Sequence, residues 1–151
     1  MPDTYVDVAN GEDLLVQIGD GASPGPETFA HDCMLNGDRA ISMTASTITN
    51  TVPRCDDPKA PSKTMRVVDA LDTTITSGGK MNAATVAFWL AWWKSGLPKN
   101  IRMKHAKTGS WQVAAPYLLT SFGVNGVPKT NADVSVTLEQ ADAPVVSVVA
   151  A

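Results

Sequence analysis

At 151 residues, with 44% hydrophobic and 18% charged positions, the chain suits one domain whose buried core needs no metal or disulfide to fold. A net charge of −3 leaves no basic footprint for nucleic-acid binding. No stretch reaches the roughly 20 apolar residues that span a bilayer, and "MPDTYVDVANGEDLL" lacks the apolar segment of a secretory leader, so synthesis in a cytoplasm is expected.

Residues 1–12 carry Asp3, Asp7, Asn10, Gly11 and Glu12 and read as an irregular arm. "DLLVQIGDG" (13–21) predicts a short strand ending at Gly19 and Gly21. "ASPGPE" (22–27) predicts a loop, because Pro24 and Pro26 remove amide donors. The glycines around it lack the spacing of a phosphate-binding loop. In "TFAHDCMLNGDRAISMTAS" (28–46) two strand-like runs flank Asn36-Gly37, so the segment predicts a hairpin with a type I′ turn. Its second arm alternates, with Ile41, Met43 and Ala45 on one face and Ser42, Thr44 and Ser46 on the other.

Residues 50–68 read as a long inter-strand loop, stiffened by Pro53, Pro58 and Pro61 among mixed charges. Loops of that length in a compact domain are disordered or functional. "LDTTITSGGKM" (71–81) predicts a strand rich in β-branched residues. A helix follows over about 83–95, with Asn82 as its N-cap, Lys94 in its last turn, Gly96 at the left-handed position and Pro98 as a stop. "NIRMKHAK" (100–107), a turn at 108–110, "WQVAAPYLLTSFGVNG" (111–126) and "KTNADVSVTLEQADA" (129–143) are the later strands, and "PVVSVVAA" is a last short strand or edge. Val134, Val136 and Leu138 alternate with Asp133, Ser135, Thr137 and Glu139. Strands, one helix, then strands predict an α+β, mainly antiparallel sandwich or barrel with the helix on its outside.

Chemistry is sparse. Cys33 and Cys55 fit no paired metal or redox motif and read as reduced thiols. His31 lies two residues from Cys33, so a shared strand face could pair them as base and nucleophile, without any supporting motif. His105 shares a face with Ile101 and Met103 and reads as a partly buried ring with its nitrogens satisfied. Asp56 and Asp57, with Asp32 or Asp72, could hold a hard cation, but no calcium-loop spacing is present. Arg102 and Lys104 read as a solvated face or a contact for an acidic neighbour or phosphate. The expectation is a protein that is not an enzyme and holds no cofactor or metal.

The helix carries most of the information. Val86, Trp89, Leu90 and Trp93 make one apolar ridge at helical spacing, and Phe88 and Trp92 make a second. One sheet covers one side only. The helix is therefore either wholly core or shared between subunits. Sharing is the preferred reading, with Phe88, Trp89, Trp92 and Trp93 as interface candidates.

Taken together, "GEDLLVQIGDG", "FAHDCMLNGDRAISMTAS", the Thr-rich "TTITSGGKM" before the helix, "GSWQVAAPYLLTSFGVNG" and "ADVSVTLEQAD" resemble the major tail tube proteins of long-tailed bacteriophages, also found in tail-like gene transfer particles. The resemblance covers nearly the whole chain. It implies a single tail tube domain over 1–151, with a sandwich-like sheet and one flanking helix. Six subunits would join sheets into a ring, and rings would stack into a hollow tube that passes DNA without sequence-specific binding. Pro53, Arg54, Asp56, Asp57, Lys59, Lys63 and Arg66 would form the ring-stacking loop. Other tail proteins (terminator, tape measure, distal tail) would be partners, no membrane would be involved, and the protein would reside in a virion. The alternatives are a type VI secretion-like tube protein, a small cytoplasmic ligand-binding β-barrel closed by the helix, and an enzyme built on Cys33 and His31.

Overall fold

A computed structural model describes residues 5, 10–21, 26–105 and 110–148. Most of the arm expected at 1–12, the Pro24 part of the 22–27 loop, and Thr108 and Gly109 of the expected turn lie outside the described residues. A 3-10 turn, Gly11–Asp13, leads into β1 (Leu14–Gly19) and β2 (Phe29–His31). Two long strands follow, β3 (Arg39–Val52) and β4 (Lys63–Lys80), then helix α1 (Val86–Ser95). The chain continues through β5 (Lys99–His105), β6 (Trp111–Asn125), β7 (Asp133–Gln140) and β8 (Val145–Val148). The strands form one antiparallel sheet in the order β2-β1-β5-β6-β7-β4-β3, with β8 paired to the first part of β6. This matches the expected mainly antiparallel architecture with one helix.

The core lies on one face of the sheet. Val16, Ile101, Met103, Tyr117, Val134, Val136 and Leu138 are buried there, and α1 closes it by packing on β6. The predicted alternation of β7 holds: its three apolar residues are buried, while Asp133, Ser135 and Glu139 are exposed. Tyr117 shares a 2.6 Å hydrogen bond with the Thr73 hydroxyl, so its polar end is satisfied inside the core. Burial raises the Tyr117 pKa from its ordinary value.

The helix is shorter at its start than expected. Residues 83–85 form a turn, and the residue before α1 is Thr85. Asn82 still binds a backbone amide, that of Ala84 at 3.2 Å, but one turn too early to cap the helix. The C-terminus behaves as expected, with Gly96 left-handed at φ 65° and Lys94 in the last turn.

The expected hairpin at Asn36-Gly37 is replaced by a longer-range arrangement. β2 pairs with β1 and not with β3, and β3 pairs with β4. Asn36 and Gly37 instead dock on the end of β4. Asn36 Nδ2 donates to Lys80 O at 2.7 Å, Lys80 N donates to Asn36 Oδ1 at 2.8 Å, and Gly37 N donates to Gly78 O at 2.8 Å. Neither residue has a positive φ, so the pair is not a type I′ turn. The same loop pushes Met34 and Leu35 fully into the core, a burial that no periodicity announced.

A Cβ on Gly37 would lie 2.7 Å from Gly78 O, which is backbone and cannot swing away. Gly37→Ala should therefore cost about 1–3 kcal/mol, the usual range for overpacking. Gly126→Ala, with nothing within 4 Å of its added Cβ, should be nearly neutral. Urea denaturation of the two variants checks the difference.

Candidate functional site

The expected loop at 50–68 is strand at both ends. β3 and β4 run side by side as far as Val52 and Lys63, and the chain turns within residues 53–62. Beyond the body of the sheet they form a two-stranded ribbon, Thr44–Val52 against Lys63–Asp72, exposed on both faces. β7 pairs with β4 only from Thr74 onward, so the ribbon has no third strand among the described residues. An isolated two-stranded hairpin is marginal in water, and unpaired edges template pairing with another chain.

The ribbon is also apolar in an organised way. Ile41 is half-buried, but Met43, on the same strand face, is 60% exposed, because the core ends between them. The half-buried alternation expected for this strand thus stops at Ile41. Ser46 pairs with Ala70 and Thr47 with Val68, which leaves Asp69 as a bulge. The extra residue swaps the faces of β4. On the base side of the bulge, Leu71 lies with Met43 on the face that continues the core, and Val68 joins them. On the tip side, Val67 and Met65 share the opposite face with Ile48 and Val52. All of these residues are exposed. One ribbon therefore carries two apolar patches on opposite faces.

The tip is organised by its own polar residues. Arg54 grips Asp56 through two hydrogen bonds of 2.7 and 2.9 Å, and the Asp57 carboxylate accepts from Lys59 N at 3.2 Å. The Arg54 guanidinium holds the Asp56 carboxyl below its ordinary pKa. This support is present above the ordinary carboxylate range and is lost as pH falls through the lowered value. Pro53, Arg54, Asp56, Asp57 and Lys59 lie in the turn, whereas Lys63 and Arg66 belong to β4.

Helix α1 divides its aromatics differently from the two ridges read from spacing. Trp89 and Trp92, one from each ridge, are 0% and 2% exposed. Trp89 stacks on Phe122 at 6.2 Å, and Trp92 Nε1 donates to Leu97 O at 2.9 Å. Both tryptophans belong to the subunit's own core and drop out as interface candidates. Spacing alone could not choose between two apolar ridges. Phe88, Leu90 and Trp93 are exposed around the buried stripe of Trp89 and Trp92, with Leu97 beyond the helix end. The three valines of β8 are exposed as well.

Residues proposed for chemistry are not brought together. Cys33 is exposed beyond the end of β2, while His31 Nδ1 lies 3.1 Å from Val16 O and its Nε2 lies 3.4 Å from Arg39. Asp32 serves its own loop and α1, bonding Met34 N at 2.7 Å and the Thr85 hydroxyl at 3.2 Å, far along the chain from the Asp56–Asp57 turn. No cluster of three His, Cys, Asp or Glu side chains suited to a metal occurs among the described residues. Arg102 is held by Gln17 at 2.8 Å and lies over the Phe29 ring at 4.5 Å. His105 shares the buried face of Ile101 and Met103 as expected, but neither ring nitrogen has a partner among the described residues, contrary to the satisfied ring expected. The geometry offers surfaces for assembly: a two-faced ribbon, an apolar helix side and an exposed edge strand.

Comparison with known proteins bears on what such surfaces do. The sequence profile of a family described as phage tail tube protein matches residues 8–146. No curated protein matches the chain in sequence. Among solved structures, the chain is similar to one in the virion of a native gene transfer agent particle, with TM-score 0.68, 19% identity, and 93% of this chain and 99% of that chain covered. It is equally similar, at TM-score 0.68 and 20% identity over 93% and 99% of the two chains, to one in the tail of an empty gene transfer agent particle with C6 symmetry. The SPP1 tail tube matches with TM-score 0.59 and 7% identity over 95% of this chain and 81% of that one.

Proposed function

Since this chain belongs to the phage tail tube protein family, we propose that its exposed surfaces build hexameric rings that stack into a hollow tube for DNA. It is a structural protein of a phage or phage-like tail, not an enzyme. The observation that carries the finer reading is the ribbon. Two strands exposed on both faces, with apolar patches at Met43/Leu71 and Ile48/Val67, are stable only when other surfaces cover them. The C6 symmetry of a similar tail supports six copies per ring.

In this reading residues 1–151 form one tube unit, and the 53–62 turn with its Arg54–Asp56 pair reaches the next ring. The sheet face opposite the core lines the lumen. Over the body that face carries Ser42, Thr74, Thr76, Ser135 and Thr137, with Arg102 and Lys104 on β5, and Lys80 is held by Asp133 at 2.7 Å. Binding to DNA draws mainly on cations set against phosphates. A wall rich in hydroxyls, with Lys80 paired to Asp133 and Arg102 held by Gln17, offers DNA few free cations and lets it slide.

Negative-stain microscopy of the concentrated protein should show rings or tubes with a central hole. A species that stays monomeric at every concentration overturns the proposal.

A further inference from the structure

The exposed surface of α1 has a distinct charge. Its apolar residues Phe88, Trp93 and the following Leu97 are exposed, and Lys94 is the only charged residue in the helix. Lys99 adds a second cation, 5.1 Å above the Phe88 ring. Lys94 forms no salt bridge among the described residues. Trp89 and Trp92 anchor the helix in the core, which leaves Phe88 and Trp93 on the two exposed flanks of that buried stripe.

A surface of opposite character lies at the foot of the ribbon. Where β7 ends, the Gln140 side chain continues its pairing with β4. Gln140 Oε1 accepts from Thr73 N at 2.9 Å, and Nε2 donates to Leu71 O at 3.0 Å. The chain then turns away through residues 141–144 into β8. Between this turn and β4 lies an open groove of about 510 Å³, lined by Leu71, Pro144 and Val146, with Asp72 and Asp142 contributing its charge. Leu71 and Val146 are 63% and 66% exposed, so nothing among the described residues fills the groove. Neither carboxylate takes part in a salt bridge among the described residues.

We propose that this acidic groove receives the Trp93–Leu97 end of α1 from a second copy of the chain, with Lys94 set against Asp72 and Asp142. The inference rests on the tube reading above and names a contact within it. Charge complementarity identifies the occupant: an apolar knob with a cationic rim meets an apolar groove with an anionic one. Aromatic anchors in pockets supply most of the energy of such contacts, and opposed charges fix their register. Because knob and groove are different parts of the surface, the contact is head-to-tail, the kind that closes into a ring when the rotation allows.

Charge reversal tests it. Lys94→Asp alone, and Asp72→Lys with Asp142→Lys, should each lower the assembled fraction at fixed concentration at least tenfold, read by sedimentation and micrographs. The triple variant should recover most of it. Trp93→Ser should weaken assembly without lowering the melting temperature of the monomer. Wild-type assembly in the single reversals, or a triple variant that melts like the wild type yet stays unassembled, overturns the contact. Wild-type protein is read on the same grids. If it forms no rings or tubes, the tube reading fails with the contact. If it forms them and the reversals are without effect, only the contact fails.

Discussion

Trp89→Ala should remove about 3–5 kcal/mol of stability, the usual cost of truncating a buried tryptophan. Trp89 is the largest fully buried side chain among the described residues, and its ring touches Phe122, Trp92 and Phe88. Its loss opens a cavity between helix and sheet that the paired strands cannot collapse to fill. Set against the total of about 5–15 kcal/mol typical of native proteins, such a loss leaves a marginal fold. For a chain of this size the melting midpoint should fall by about 6–20 °C. Trp93→Ala, four residues on and 56% exposed, should change the monomer by less than about 0.5 kcal/mol. Thermal melts of the two variants in dilute solution separate the cases. Equal losses would mean that both tryptophans are core and that the helix has no outward apolar side.

The second large effect concerns assembly. Joining Ser46 to Ala70 through a two-residue Asn-Gly turn removes the outer ribbon, the Asp69 bulge and the 53–62 turn. Every described residue removed is exposed except Ala60, which is half-buried in the turn, and none belongs to the core cluster. The monomer should therefore keep its circular dichroism spectrum and melt within a few degrees of the wild type. Rings and tubes should be absent at any concentration, because the Ile48/Val67 patch and the turn are gone. Normal tubes from the truncated chain would sink the assignment of assembly to the ribbon. An unfolded product would show that the ribbon supports its own subunit.

Several features were legible because their causes are local. Gly96 after Lys94 marks the end of α1, since a left-handed residue and a cation suit the last turn of a helix wherever it packs. The alternation of Val134, Val136 and Leu138 announces a half-buried strand because the side-chain period of a strand is two. A Pro-rich charged stretch around 53–62 marks a turn at the surface. The order of strands around one helix was enough for the antiparallel class and for the family resemblance.

Other features depended on residues far apart in the chain. Asn36-Gly37 has the composition of a tight hairpin, yet its polar atoms are taken by Gly78 and Lys80. The extent of β3 and β4 was obscured by polar and charged residues, which read as loop when no core covers them. Strand pairing stabilises them all the same. The bulge at Asp69 has no compositional mark, although it decides which face Val67 presents.

By itself, the sequence determined where chain segments bend, cap and alternate, and that one helix is too apolar for a simple surface element. Those properties arise from backbone and side-chain chemistry within a turn or two. Only the tertiary structure decided that Trp89 and Trp92 are buried in the core while Phe88 and Trp93 stay exposed. It also decided that the two longest strands leave the body as a ribbon. Burial depends on what lies opposite a side chain, and for this helix and these strands the opposing groups are tens of residues away.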